Sequence, residues 1–115
     1  MSTTVVTAET FEDTIKSGTV FIDFWAAWCG PCRSFGPVFE SVSDEYPDVV
    51  FGKVDTDAER DLAQELQIMS IPMLMAFRDG VLVFAQPGAL SRASLADLVG
   101  QVLALDMDEV RAQSE

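Results

Sequence analysis

The chain has 115 residues, 19 acidic and 7 basic, for a net charge of −12. That length allows one domain with a core of its own, and 49% hydrophobic residues set it outside the disordered class. So acidic a chain has little material for the basic face that nucleic acid or an anionic membrane surface requires, and no apolar run approaches the ~20 residues of a membrane span.

Met1 to Thr4 carry no basic region and no long apolar segment, so no secretory signal is expected. Thr3 to Val6 reads as a short strand. Thr7 is placed to cap a helix from about Ala8 to Lys16, with Phe11 and Ile15 on one face and Gly18 at its end. Val20 to Ala26 is apolar at nearly every position, the pattern of a buried strand. A helix follows from near Pro31, a residue suited to a first helical turn. Its stripe of Phe35, Val38, Phe39, Val42 and Tyr46 keeps a 3.6-residue period across Pro37, which predicts a kink rather than a break.

Val49 to Val54 is the next strand. Thr56 and Glu59 have capping-box spacing and predict a helix carrying Leu62 and Leu66. Met73 to Arg78 and Val81 to Gln86 read as two strands joined by Asp79-Gly80, a strong hairpin signal. Ser91 is placed to cap a last helix that buries Leu95, Leu98, Val99, Val102 and Leu103. Asp106 to Glu115 is polar and acidic, and reads as an extension of that helix or, preferably, a mobile tail. The division is therefore a domain over 1–105 and a tail or extension over 106–115. The order predicts an α/β fold, a mixed sheet of about five strands flanked by four helices. Its first half is parallel with right-handed crossovers, and the hairpin adds antiparallel strands.

The chain has two cysteines and no histidine. Without histidine, the commonest general base and metal ligand is missing, and His-assisted serine or cysteine hydrolysis is excluded. Two cysteines do not complete a tetrahedral zinc site, so no metal is expected. Both cysteines lie in Trp28-Cys29-Gly30-Pro31-Cys32. A bridge across so short a loop adds little stability, so a structural disulfide is a weak reading. Two unrelated buried thiols is the other bland one. A C-x-x-C beside a βαβ pattern points instead to redox chemistry. Asp23 stands inside the apolar strand on the face of Phe21 and Trp25. Burial raises a carboxyl's pKa, and the group reads either as a structural partner of Lys53 on the next strand or as an acid–base group.

Trp25-Ala26-Ala27-Trp28-Cys29-Gly30-Pro31-Cys32, preceded by Asp23-Phe24, strongly resembles the active-site segment of the thioredoxin family. Pro37, Lys53, Ile71-Pro72, Gly80 and Gly88-Ala89-Leu90-Ser91 fit the family pattern as well, over roughly residues 5 to 104. The resemblance implies a thioredoxin fold and reduction of protein disulfides by dithiol exchange. It makes Cys29 the partly exposed nucleophile and Cys32 the more buried resolving cysteine. Gly30 and Pro31 tune the redox poise, and Asp23 moves a proton to or from Cys32 with Lys53 as its partner. Pro72 is expected to be cis, although the residues alone fit equally a proline opening a strand. Trp28, Ile71, Pro72, Gly88 and Ala89 are expected to receive the substrate chain, with Trp25 largely beneath them.

The implied partners are a thioredoxin reductase and disulfide-containing proteins, for a cytoplasmic monomer with no bound cofactor beyond its own Cys29–Cys32 disulfide. Several residues depart from the family pattern. Met69 and Ser70 replace a basic residue and a glycine, Met73 replaces a threonine, Gln67 replaces a glycine, and Pro87 precedes Gly88 in place of a β-branched residue. These bear on partner choice more than on the chemistry. The competing reading is a binding or scaffold subunit of the same fold whose dithiol is incidental. A third reading, metal or iron–sulfur binding by Cys29 across a dimer, has too few ligands to compete.

Overall fold

A computed structural model describes residues 2–113. Among the described residues the order is β1 (Thr3–Val5), α1 (Phe11–Ile15), β2 (Thr19–Trp25), α2 (Gly30–Ser43), β3 (Val50–Asp55), α3 (Arg60–Glu65), β4 (Met73–Arg78), β5 (Val81–Pro87), α4 (Arg92–Leu103) and α5 (Met107–Gln113). The strands form one sheet in the order β1-β3-β2-β4-β5. β3 runs parallel to β1 and β2, while β4 pairs antiparallel with β2 and β5. This is the mixed sheet expected from the sequence, with one helix more.

β2 is central and buried on both sides, which is why its sequence does not alternate. Phe21 packs with Phe35, Phe39, Phe51 and Leu95 beneath α2 and α4. Val20, Ile22 and Phe24 pack with Phe11, Leu62 and Phe77 beneath α1 and α3. Phe51, fully buried, stacks on Phe21 at 5.7 Å and meets Phe39 edge-on at 5.2 Å. Truncating such a ring to alanine costs about 3–5 kcal/mol. Gly52 beside it has no room for a side chain: a Cβ there would lie 2.6 Å from Val6 Cγ2 and 2.9 Å from Ile22 Cδ1.

α2 continues through Pro37 without a break. The Asp79-Gly80 turn has positive φ at both residues, 54° and 83°, as a two-residue type I′ hairpin requires. Pro87 extends β5 by one residue opposite Met73. β5 is an edge strand, where a residue without an N–H is tolerated.

Four local expectations are corrected. Thr7 does not cap a helix at Ala8. Its N–H goes to Thr10 Oγ1 at 3.0 Å, residues 8–10 form a turn, and α1 begins only at Phe11. Thr56 does not cap α3. Asp55 Oδ1 accepts from the Asp57 N–H at 2.9 Å in a turn that delays the helix, and the Thr56 hydroxyl donates to the Trp25 carbonyl at 3.0 Å. Glu59, the other half of the expected box, accepts instead from the Ala8 N–H at 2.9 Å. Leu103, at the C-terminal end of α4, is exposed rather than buried.

The fourth correction is at the C-terminus. Residues 107–113 are neither a tail nor a continuation of α4 but a separate helix, α5. Asp106 starts it by accepting the N–H groups of Asp108 and Glu109 at 3.1 and 3.3 Å, and Met107 is buried. Ser114 and Glu115 lie outside the described residues. Among the described residues no helix is long and apolar enough to cross a membrane.

Candidate active site

The corner where β2 ends and α2 begins holds both cysteines. Cys29 is the residue before the first turn of α2, in extended conformation, and its sulfur accepts the Cys32 N–H at 3.2 Å. The first turn of a helix has N–H groups without intrahelical partners, and one of them is thus aimed at sulfur. That geometry, with the positive end of the helix dipole, favours a thiolate at Cys29. Pro31 takes its place in the first turn, where its missing N–H costs nothing. Gly30 and Pro31 are exposed, and they separate the cysteines by one turn, with Cα atoms 5.2 Å apart and a disulfide between them.

The expected difference in burial between the two cysteines is not present: each is 4% exposed. Ala26, Trp25 and Ile71 pack around the bridged pair. The two differ in what faces them instead. Cys29 Sγ lies 3.7 Å from the Ile71 carbonyl oxygen. Cys32 lines a cleft of about 250 Å³ with Trp25, Arg33, Gly36 and Lys53.

The Ile71–Pro72 peptide is cis. Pro72 is buried and Ile71 half-buried beside the disulfide. The Gly88 N–H donates to the Pro72 carbonyl at 2.8 Å, which brings exposed Gly88 and Ala89 to the same corner. Gly88 has φ 109°, a conformation that disfavours any side chain. Trp28 is 69% exposed, and its indole N–H donates to Asp57 Oδ1 at 3.3 Å. Asp57, 29 residues away on another loop, has no local sequence signal that would have pointed to it.

Asp23 lies within β2, fully buried, and among the described residues none hydrogen-bonds to either of its carboxylate oxygens. Burial pushes its pKa up to about 7, and the nearby positive charge of Lys53 only partly opposes this. Asp23 and Lys53 are register partners in adjacent strands, as expected. The expected direct pairing is absent. The Lys53 ammonium lies over the Trp25 ring, 5.4 Å from its centroid, and close to Gly36 of α2. An Asp Cβ next to the strand axis cannot follow a lysine whose long stem carries its charge out to the cleft. Lys53 therefore acts on Asp23 through space.

The residues that depart from the family pattern separate in the same way. Met73 packs against the core below α1 and α3, Pro87 is exposed, and Met69 is 90% exposed. Gln67 adopts φ 57°, the left-handed conformation that makes glycine common at such a position. Its N–H bonds to the Gln64 carbonyl and that of Ile68 to the Ala63 carbonyl, the pattern that closes a helix C-terminus.

Comparison with known proteins agrees with this geometry. The thioredoxin family model matches residues 2–101. A Streptomyces coelicolor protein that bears the name thioredoxin 2 is 57% identical over 111 residues, covering 96% of this chain and 83% of its own length. A Chlamydia trachomatis thioredoxin is 42% identical over 97 residues, covering 84% of this chain and 95% of its own. The crystal structure of Malassezia sympodialis thioredoxin superimposes with a TM-score of 0.79 at 35% identity, over 88% of this chain and 93% of that one. A disulfide at the start of a helix, a cis-proline after the Ile71 that packs beside it and a buried carboxyl in the strand that leads to it agree with this likeness: the chain belongs to the thioredoxin family and is a thiol–disulfide oxidoreductase.

Proposed function

We propose that the protein reduces disulfides of other proteins in the cytoplasm and is itself regenerated by a thioredoxin reductase. The observation that carries this reading is the Cys29 sulfur. It holds one free helical N–H and faces the Ile71 carbonyl at the substrate side. In the reduced protein the Cys29 thiolate attacks one sulfur of the substrate disulfide. That bond breaks, a mixed disulfide forms, and the first substrate thiolate leaves. Cys32 then attacks Cys29 Sγ, the mixed disulfide breaks, and the second substrate thiol leaves. Two electrons pass to the substrate, and the protein is left as the Cys29–Cys32 disulfide.

Cys32 must lose a proton before it attacks. Asp23 is the acid–base group assigned to that transfer, since a carboxyl with pKa about 7 accepts and releases a proton near neutrality. Lys53 moderates the Asp23 charge from the cleft. Gly30 and Pro31 hold the sulfurs within reach and set the redox poise. Trp28, Ile71, Pro72, Gly88 and Ala89 receive the substrate chain, which pairs with the backbone before Pro72 as an added strand.

The test is dithiothreitol-driven insulin reduction. The protein should accelerate it catalytically, and Cys29→Ser and Cys32→Ser should each return the rate to that of dithiothreitol alone. A wild-type rate equal to free dithiothreitol would leave only the scaffold reading.

A further inference from the structure

Met69 stands apart from the other methionines. Among the described residues, Met75 and Met107 are buried at 5% and 6% exposure and Met73 is half-buried, while Met69 is 90% exposed. The local backbone explains this. After α3 the left-handed Gln67 turns the chain, and the Ile68 N–H is tied back to Ala63. Ile68 and Ile71 then pack against the core, and Met69 between them is turned out. Its side chain lines two adjoining surface depressions. One is shared with Trp28, Ser70 and Ile71, the other with Arg60, Gln64 and Gln67. Ile71 links the first to the dithiol, because it packs against the cluster that holds both cysteines and its carbonyl faces Cys29.

A polypeptide whose disulfide is attacked at Cys29 and that runs along Trp28 and Ile71 reaches Met69. A small disulfide that reaches only the sulfurs does not. An unbranched, polarizable thioether suits such a place, since it adapts to substrate side chains of different shape. It is also the one large apolar contact on this rim that mild oxidation makes polar.

We infer that Met69 is an oxidation site that sets how well protein substrates dock, independently of the dithiol chemistry. This inference rests on the disulfide-reductase reading above. The step is oxygen transfer from a peroxide: the O–O bond breaks, one oxygen joins the Met69 sulfur, the sulfur loses two electrons, and water leaves. The resulting sulfoxide is polar and costs the rim its apolar contact. The Cys29–Cys32 disulfide keeps the cysteines out of this reaction, so the oxidised protein can be treated selectively.

The experiment treats the disulfide form with limited hydrogen peroxide and locates the added oxygen by peptide mass spectrometry. The treated protein is then assayed on insulin and on a small aromatic disulfide. Met69 should gain oxygen before Met73, Met75 and Met107. The preference for insulin over the small disulfide, as a ratio of kcat/KM values, should fall about threefold, the size of one lost apolar contact. Met69→Gln, which imitates the polarity of the sulfoxide, should lower the ratio similarly, and Met69→Leu should make it insensitive to peroxide. Earlier oxidation of Met73, or an unchanged ratio in protein fully oxidised at Met69, would overturn the inference. An untreated protein inactive on both substrates would overturn the reductase reading and this one with it.

Discussion

The two ends of the sheet are built on opposite principles. At the hairpin end, where Thr19 pairs with Arg78, polar groups find partners. The Asp79 N–H bonds to Gly18, and Arg78 Nη1 is aimed at the carbonyls of Val102, Leu103 and Leu105 at 2.8, 3.2 and 3.2 Å. That guanidinium closes the C-terminus of α4, where free carbonyls and the negative end of the dipole favour a cation. At the dithiol end, two titratable groups are left short of partners. Among the described residues none hydrogen-bonds to either Asp23 carboxylate oxygen, and the Cys29 sulfur accepts a single N–H. The same β2 runs through both ends. Stability is concentrated at one and reactivity at the other, because a group left short of partners is the one that can exchange a proton or a bond.

Asp23→Asn should have the largest effect on stability. The native carboxyl has its pKa raised from 3.8 to about 7. Between those values the native state keeps a proton that the unfolded chain has lost, so stability falls as pH rises through this window and stays lower above it. The amide removes the penalty. Denaturation of the disulfide form should show a gain of roughly 2–4 kcal/mol at mildly alkaline pH, shrinking towards zero below pH 4, together with slower insulin reduction. A gain that does not depend on pH would show that the carboxyl is not strained by its burial.

Arg78→Met should act in the opposite sense. It keeps the aliphatic stem and leaves three carbonyls without their cation, at a cost of about 1–2 kcal/mol. Insulin reduction should not change. A loss of activity without a loss of Tm would dissolve the separation between the two ends. Gln67→Gly has the smallest expected effect. It relieves the left-handed strain and should raise stability by about 0.5–1 kcal/mol in urea unfolding, offset in part by the freedom of glycine in the unfolded chain. No gain there would mean that the turn after α3 carries no strain.

Much of this was legible because the signals are local. A strand apolar on both faces, Asp79-Gly80 between two β runs, and the Trp28–Cys32 segment each specify their structure within a few residues. Asp23 was conspicuous as a lone carboxyl in an apolar strand. What escaped depends on distant partners. Thr7 and Thr56 have the chemistry of helix caps, yet Thr10 and the Trp25 carbonyl claim them. Strand register correctly set Lys53 beside Asp23 but does not say where a long side chain ends. The equal burial of the two cysteines comes from Ile71 and Trp25 packing on the bridged pair, a contact across the fold. α5 was missed although Asp106 and Glu109 have cap spacing, because its single buried anchor, Met107, is too little for an amphipathic pattern. Arg78 showed only as the end of a strand.

The central claim is that Cys29, with its helical N–H and its place at the substrate side, is the attacking sulfur. Trapping tests it most directly. Reduced Cys32→Ser protein mixed with a disulfide-containing substrate should accumulate a mixed disulfide, and peptide mass spectrometry should assign it to Cys29. Reduced Cys29→Ser protein under the same conditions should accumulate little. Equal trapping through Cys32 would contradict the account.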